Sequence, residues 1–351
     1  MTTLEQYFIK RIAANGPITL AAFMADCLMH PKYGYYQRQR VFGKDGDFIT
    51  APEVSQMFGE MIGLWVYDRW VAMGKPKAVQ LIEAGPGRGT LMRDILSATE
   101  KFHAFSSAVS VHFIETSQQL RQQQKKLVPN AQWHSALDTI PHSDFIMIGN
   151  EFFDALPIHQ YEKNEDKWHE KMVSVIDGKL TPTLGPKGPQ FSLIDPSLHN
   201  AANGSIAEVC PAALSVIAAL NDRMADNLGI CLFIDYGYLA PCIGDSFQAL
   251  KGHNYVNPLQ HIGEADLTAH VDFSKLAAAS HANHWFNEQG AFLMQLGMGY
   301  RAEALAKPLD NAGKSDVLRA LKRLTAPDEM GSLFKVMALQ SGDITKPAGF
   351  E

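Results

Sequence analysis

The segment Leu81-Ile82-Glu83-Ala84-Gly85-Pro86-Gly87-Arg88-Gly89-Thr90 has residue types and spacing that point most directly to chemistry. An apolar run ends in an acid, and three alternating glycines lead into a helical stretch. Glycine permits a tight turn and lets backbone approach a ligand with no Cβ in the way. At the carboxyl end of a strand, such a loop suits a dinucleotide or S-adenosylmethionine (SAM). A dinucleotide fingerprint places glycines at its first, third and sixth positions. Here they fall at the first, third and fifth, and Thr90 occupies the sixth. Glu83, two residues before the first glycine, fits the SAM version, where its carboxylate can orient the loop or the ligand's amino group. The bland alternative is a tight β–α turn with no ligand.

Glu115 ends the second apolar run, where an acid can accept hydrogen bonds from both ribose hydroxyls. NAD enzymes share that placement, so Glu115 supports a nucleoside ligand without choosing its class. Asn150-Glu151-Phe152-Phe153-Asp154-Ala155-Leu156-Pro157 follows the fourth run. Side-chain oxygens of Asn150 and Glu151 can hold an amino or guanidino group, and Phe152 or Phe153 can face a cation. Methyl transfer asks for alignment and exclusion of water more than for covalent help. If the acceptor is arginine, carboxylates can orient its guanidinium and take the departing proton. Glu151 and Asp154 are the candidates for that work; the alternative is a capped loop with both phenylalanines in the core.

These groups need elements to position them. From Ala78 onward, apolar runs alternate with helical stretches: strands at 78–83, 109–115, around Trp133 and at 144–149, with helices at 90–101 and 117–126. That alternation implies an α/β, mostly parallel, Rossmann-like sheet. Helices are expected over 211–227 and 273–282, a strand over 230–235, and a closing strand over 332–339, antiparallel to the rest. Before the sheet, helices are expected at 4–14, at 19–28 behind a Thr19 cap, and at 50–73, where Thr50 and Glu53 form a capping box. The alternation breaks over 160–208. Asp177-Gly178 there signals a hairpin, and 182–203 and 240–268 read as loop. The expected organisation is an N-terminal helical cap with a lid loop over 1–75 and a SAM domain over 76–345 carrying an inserted, β-rich, substrate-side segment at 160–208.

Composition bounds the function. The chain has 351 residues and a formal net charge of −6, which implies no broad basic surface for nucleic acid. Cys27, Cys210, Cys231 and Cys242 are widely spaced, so neither a disulfide framework nor a zinc site is expected. His281 and His284 share helical spacing without a third ligand, and no metal is expected. No apolar stretch is long enough to span a membrane. With no signal or transit character at its N-terminus, the chain reads as cytoplasmic.

A family resemblance rests on HPKYGYY at 30–36, GKDGDFITAPEVSQMFGE at 43–60, EAGPGRGTL at 83–91, NEFFDALP at 150–157, FIDYG at 233–237, GEADLTAHVDF at 263–273 and MGSLFKVMAL at 330–339. The chain resembles the MidA family, bacterial relatives of the mitochondrial complex I assembly methyltransferase. The resemblance implies a seven-strand SAM methyltransferase and arginine methylation of a protein. It implies symmetric dimethylarginine on a complex I core subunit, or on a similar partner. Under it, Gly46, Asp47, Phe48 and Thr50 belong to a lid over the cofactor, and His270 becomes a candidate proton acceptor. Tyr33, Tyr35 and Tyr36 can stack on a substrate or pack in the core. Two other classes compete: a nicotinamide-dependent oxidoreductase, which Thr90 opposes, and an assembly factor that keeps the SAM fold with weak catalysis.

Overall fold

The alternation after residue 78 becomes a continuous path of seven strands within an eight-stranded sheet: β1 (Val79–Ala84), β2 (Val109–Ile114), β3 (Gln132–His134), β4 (Phe145–Asn150), β5 (Gly229–Tyr238), β6 (Asn283–Glu288) and β7 (Phe334–Gln340). Residues 2–37 and 50–351 are described in this computed structural model. The spatial order is β3-β2-β1-β4-β5-β7-β6. Strands β1 to β5 run parallel. The last strand, β7, inserts between β5 and β6 and is antiparallel to both. The architecture is a Rossmann-like α/β sheet, mostly parallel, with its last strand antiparallel.

All six residues of β1 are buried, as are Phe145–Gly149 of β4 and Gly229–Tyr236 of β5. Continuous apolar burial is what a parallel strand covered on both faces requires. One buried polar residue of this sheet is bonded at both ends of its amide: Gln80 Nε2 donates to the Pro141 carbonyl at 3.0 Å, and the buried Arg223 guanidinium donates to Gln80 Oε1 and to the Ile140 carbonyl. The same core takes in Met57, Phe58, Met61, Ile62, Trp65 and Val66 from the helix Gln56–Ala72.

By its contacts the chain divides into two units. The sheet unit comprises Ile49–Phe152, Ile217–Leu239 and Ala277–Glu351; the other comprises Met1–Phe48, Phe153–Val216 and Ala240–Leu276. These units do not follow the sequence boundaries at 75 and 160–208. The helix Gln56–Ala72 packs with the sheet, and the stretch after Ala240 joins the N-terminal helices.

The second unit begins with the helix Thr3–Asn15, closed by a reciprocal box between Thr2 and Glu5, and the helix Leu20–Met29, capped by the Thr19 hydroxyl. Leu4, Phe8, Ile12, Phe23, Met24 and Leu28 pack there with Ile158, Val173, Ala249 and Leu267. Lys167–Ile176 and Lys179–Leu184 form the expected hairpin. Asp177 (φ 50°) and Gly178 (φ 73°) both take the left-handed conformation that a two-residue turn of this twist requires.

Two expectations need correction and one needs refinement. The stretch 240–268 is mostly loop, as expected, but it holds three short strands: Gln248–Lys251 pairs antiparallel with both Asn254–Val256 and Asp266–Thr268. These strands are too short to show a period-2 pattern. The helix foreseen over 50–73 breaks at Ser55 (φ −163°, ψ 141°) into Ala51–Val54 and Gln56–Ala72. His284 lies on β6, not on a helix, so its spacing from His281 has no helical meaning.

Candidate cofactor site

The glycine segment turns as its composition demands. Gly85 (φ 63°), Gly87 (φ 51°) and Gly89 (φ 86°) are all left-handed. Two of these positions are also crowded. A Cβ on Gly85 would meet the Phe152 ring at 3.3 Å, and one on Gly89 would meet Gln124 at 3.4 Å. Gly89 then opens the helix Thr90–Thr99 with no capping side chain.

Glu83, at the foot of this turn, is 3% exposed, and its Oε2 has no hydrogen-bond partner. Burial raises its carboxyl to a pKa of about 8. A buried acceptor left open in this way is costly unless something polar completes it. It fits a ligand that brings a cationic or N–H group to the carboxyl end of β1.

Glu115, one residue past β2, is 9% exposed. Its Oε1 accepts from the Ser117 amide at 2.7 Å and its Oε2 from Gln124 Nε2 at 3.2 Å. Burial raises its pKa, and these hydrogen bonds work against the rise. Each carboxylate oxygen has two acceptor sites, so one on each can meet a ribose diol. The same Gln124 amide donates to the Gly87 carbonyl at 2.8 Å, while its Oε1 accepts from Trp133 Nε1 at 2.8 Å. Gln124 therefore ties Glu115 to the glycine loop. Gln124 carries no signal in the sequence, where it is one glutamine among several on the polar helix Gln118–Leu127.

The turn after β4 lies in the same unit. Asn150 Nδ2 donates to Glu151 Oε1 at 3.1 Å, and Asn150 Oδ1 is buried without a partner. Glu151 is left-handed at φ 51°, a conformation rare for a residue bearing a side chain. Its amide donates to the Ile234 carbonyl at 2.9 Å. The Phe152 amide then donates to Asp235 Oδ2 at 3.1 Å. Asp235, 1% exposed, stands in the FIDYG stretch, but its sequence context gives it no role of its own.

Thr50 occupies the N-cap position of Ala51–Val54, but its side chain makes no cap bond, so the expected capping box does not form. Glu53 instead accepts from Thr90 Oγ1 at 2.8 Å and pairs with Arg88 at 3.6 Å. Gly46, Asp47 and Phe48 lie outside the described residues.

Asp154 and His270 belong to the other unit. The Ala269 amide donates to the Asp154 carbonyl at 3.0 Å, which places the two candidates near one another in that unit. Asp154 is buried. Burial lowers the pKa of His270, which favours a neutral ring, and its amide donates to Ser246 Oγ at 2.9 Å. Tyr35 packs in the core of this unit, with Tyr33 and Tyr36 against it.

Comparison with known proteins decides the family. A family model described as "Putative S-adenosyl-L-methionine-dependent methyltransferase" matches residues 61–291. The chain belongs to this family. It is a MidA-type enzyme, a methyltransferase that uses S-adenosyl-L-methionine. A mitochondrial protein arginine methyltransferase NDUFAF7 homolog of Caenorhabditis elegans is 36% identical over 369 residues, which cover 96% of this chain and 86% of that protein. The Homo sapiens protein arginine methyltransferase NDUFAF7 is 34% identical over 373 residues, covering 97% and 83%. A Burkholderia thailandensis crystal structure superposes with a TM-score of 0.83 at 25% identity, over 99% of this chain and 93% of the other. A second structure from that organism, bound to S-adenosyl-homocysteine, gives 0.82 at 24% identity with the same coverage. No helix among the described residues is long and apolar enough to cross a membrane.

Proposed function

We propose that this MidA-type enzyme methylates an arginine side chain of a protein, forming symmetric dimethylarginine on a respiratory complex I subunit or a similar target. The observation that carries the reading is the strained Glu151 at the carboxyl end of β4, with Asn150 Oδ1 unpartnered beside it. Relatives named as protein arginine methyltransferases along nearly the whole chain support it.

When bound, S-adenosyl-L-methionine supplies a methyl carbon already activated by its sulfonium. The chain's own groups bind and align. Glu83 Oε2 would receive the cofactor's amino group, and Glu115 its ribose hydroxyls. The glycine loop lets backbone close on the ligand. The Glu151 carboxylate and Asn150 Oδ1 hold and orient the guanidinium, whose pKa keeps it cationic before reaction. After transfer the substituted guanidinium must shed one proton, and the Glu151 carboxylate accepts it. His270 is a second candidate acceptor, with Asp154 near it in its own unit.

Incubation of the protein with methyl-labelled SAM and isolated complex I subunits tests the reading. Mass spectrometry of the labelled product should place two methyl groups, one on each terminal nitrogen of one arginine. Label on lysine or on a small molecule, with none on arginine, would overturn it.

A further inference from the structure

The short helix Ala51–Val54 lies between two parts of the site and touches both. Its first amide, Ala51 N–H, is one of the donors that a helix leaves without an internal partner. Pro52 follows and has no amide of its own. Ala51 is fully buried, so its N–H needs a protein acceptor, and it donates to Glu151 Oε1 at 3.4 Å. At the other end of the helix, Glu53 Oε1 accepts the Thr90 hydroxyl at 2.8 Å and Glu53 Oε2 faces Arg88 at 3.6 Å. Thr90 and Arg88 flank Gly89, the last glycine of the cofactor loop. Glu53 and Glu151 therefore sit at the two ends of one connection: glycine loop, Glu53, helix, Ala51 amide, Glu151 carboxylate.

We propose that Glu53 is a positioning residue that sets the cofactor loop and the Glu151 carboxylate in a fixed relation, without itself touching the reacting atoms. The inference rests on the role given to Glu151 above. The geometry makes the Thr90 contact the stronger of the two that Glu53 makes. It is a short hydrogen bond to a carboxylate, of the stronger charge-assisted kind. The Arg88 side chain is 43% exposed and its pairing is long, and such surface ion pairs contribute little. Glu151 needs the fixing. A left-handed residue with a side chain persists only where its surroundings over-determine it, and the Ala51 amide is one of the groups that do so. A ligand that closes the glycine loop thereby also orders the carboxylate assigned to the methyl acceptor.

The test uses the full chain with S-adenosyl-homocysteine as probe and needs no protein substrate. Calorimetry gives the affinity, and hydrogen exchange of peptides covering 50–57 reports the Ala51 amide. Glu53→Ala should weaken binding about tenfold, the order expected for one charge-assisted hydrogen bond, and speed exchange at 50–57. Glu53→Gln keeps an oxygen acceptor for Thr90 and should restore both readouts to within about threefold, since the lost Arg88 pairing is worth little. Thr90→Val, nearly isosteric, should behave as Glu53→Ala does. Glu151→Ala should speed exchange at the Ala51 amide. If Thr90→Val leaves affinity and exchange at wild-type values, or if Glu53→Gln is as impaired as Glu53→Ala, the proposal is overturned. A failure of arginine methylation would show in the label experiment and leave these readouts intact.

Discussion

The Phe152 amide donates to the Oδ2 of Asp235 across 3.1 Å, and this bond joins the turn after β4 to the end of β5. The other oxygen, Oδ1, accepts from the Tyr236 amide at 3.1 Å. Asp235 is 1% exposed, so water cannot replace it. Asp235→Ala should therefore cost about 1–3 kcal/mol, the penalty for leaving a buried donor unsatisfied. Chemical denaturation would measure that loss. Because the bond lies one residue from Glu151, turnover should fall further than the stability change alone explains.

Glu83 gives a pH signature. Its carboxyl is raised to about 8 in the folded chain by burial, against about 4.3 when unfolded. Between those values the folded state holds a proton that the unfolded state has released. The contribution of Glu83 to stability is thus full below about pH 4 and is lost progressively as pH rises toward 8. Glu83→Gln cannot ionise, so it should gain in melting temperature relative to wild type at pH 8 and gain little at pH 5. Thermal melts of the ligand-free pair at the two pH values check this. A gain that is equal at both would refute it.

The Gly87→Val substitution should abolish binding of S-adenosyl-homocysteine. It places a β-branched residue at φ 51°, and Gly87 also presents its carbonyl to Gln124. A strained backbone of this kind costs about 1–3 kcal/mol, and the added methyl groups would stand in the loop proposed to close on the ligand. Calorimetry should show at least about a 100-fold loss, the scale of such a penalty combined with a steric block. Circular dichroism should show the fold retained.

Glu151→Gln should lower kcat by about 10²-fold or more, the usual scale for removing a positioned proton acceptor. The affinity for S-adenosyl-homocysteine should change much less, because Glu83, Glu115 and the glycine loop are left as they were. Single-turnover rates with a methylated product confirmed by mass spectrometry would separate the two effects. Unchanged turnover would remove Glu151 from the reaction.

Much of the sheet was legible because its strands are continuous apolar runs that each end in a chemically distinctive residue. Glu83, Glu115 and Asn150-Glu151 could be placed at strand ends from such runs alone. Turn chemistry was equally readable at Asp177-Gly178, where left-handed backbone admits few residue types. What escaped were relations set by tertiary contact. Gln124 is polar on a polar helix, and only the fold brings its amide between Gly87 and Glu115. Thr50 and Glu53 have capping-box spacing, yet Thr90 offers Glu53 a partner that local sequence cannot reveal. The short strands between 248 and 268 pair through neighbours rather than through their own alternation. The division of the candidates between two contact units was also hidden, since chain proximity puts Glu151 only three residues from Asp154.

The placement of β7 has a consequence for synthesis. Phe334–Gln340 emerges late from the ribosome, yet it occupies an interior position between β5 and β6. Until it arrives, Asn283–Glu288 lacks the only ladder partner it has among the described residues, and one margin of the nascent sheet stays open. Such an unpaired margin invites association between chains. A stalled or prematurely stopped transcript would therefore yield a sticky product, and holdase chaperones should be found on translation intermediates that carry β6 without β7.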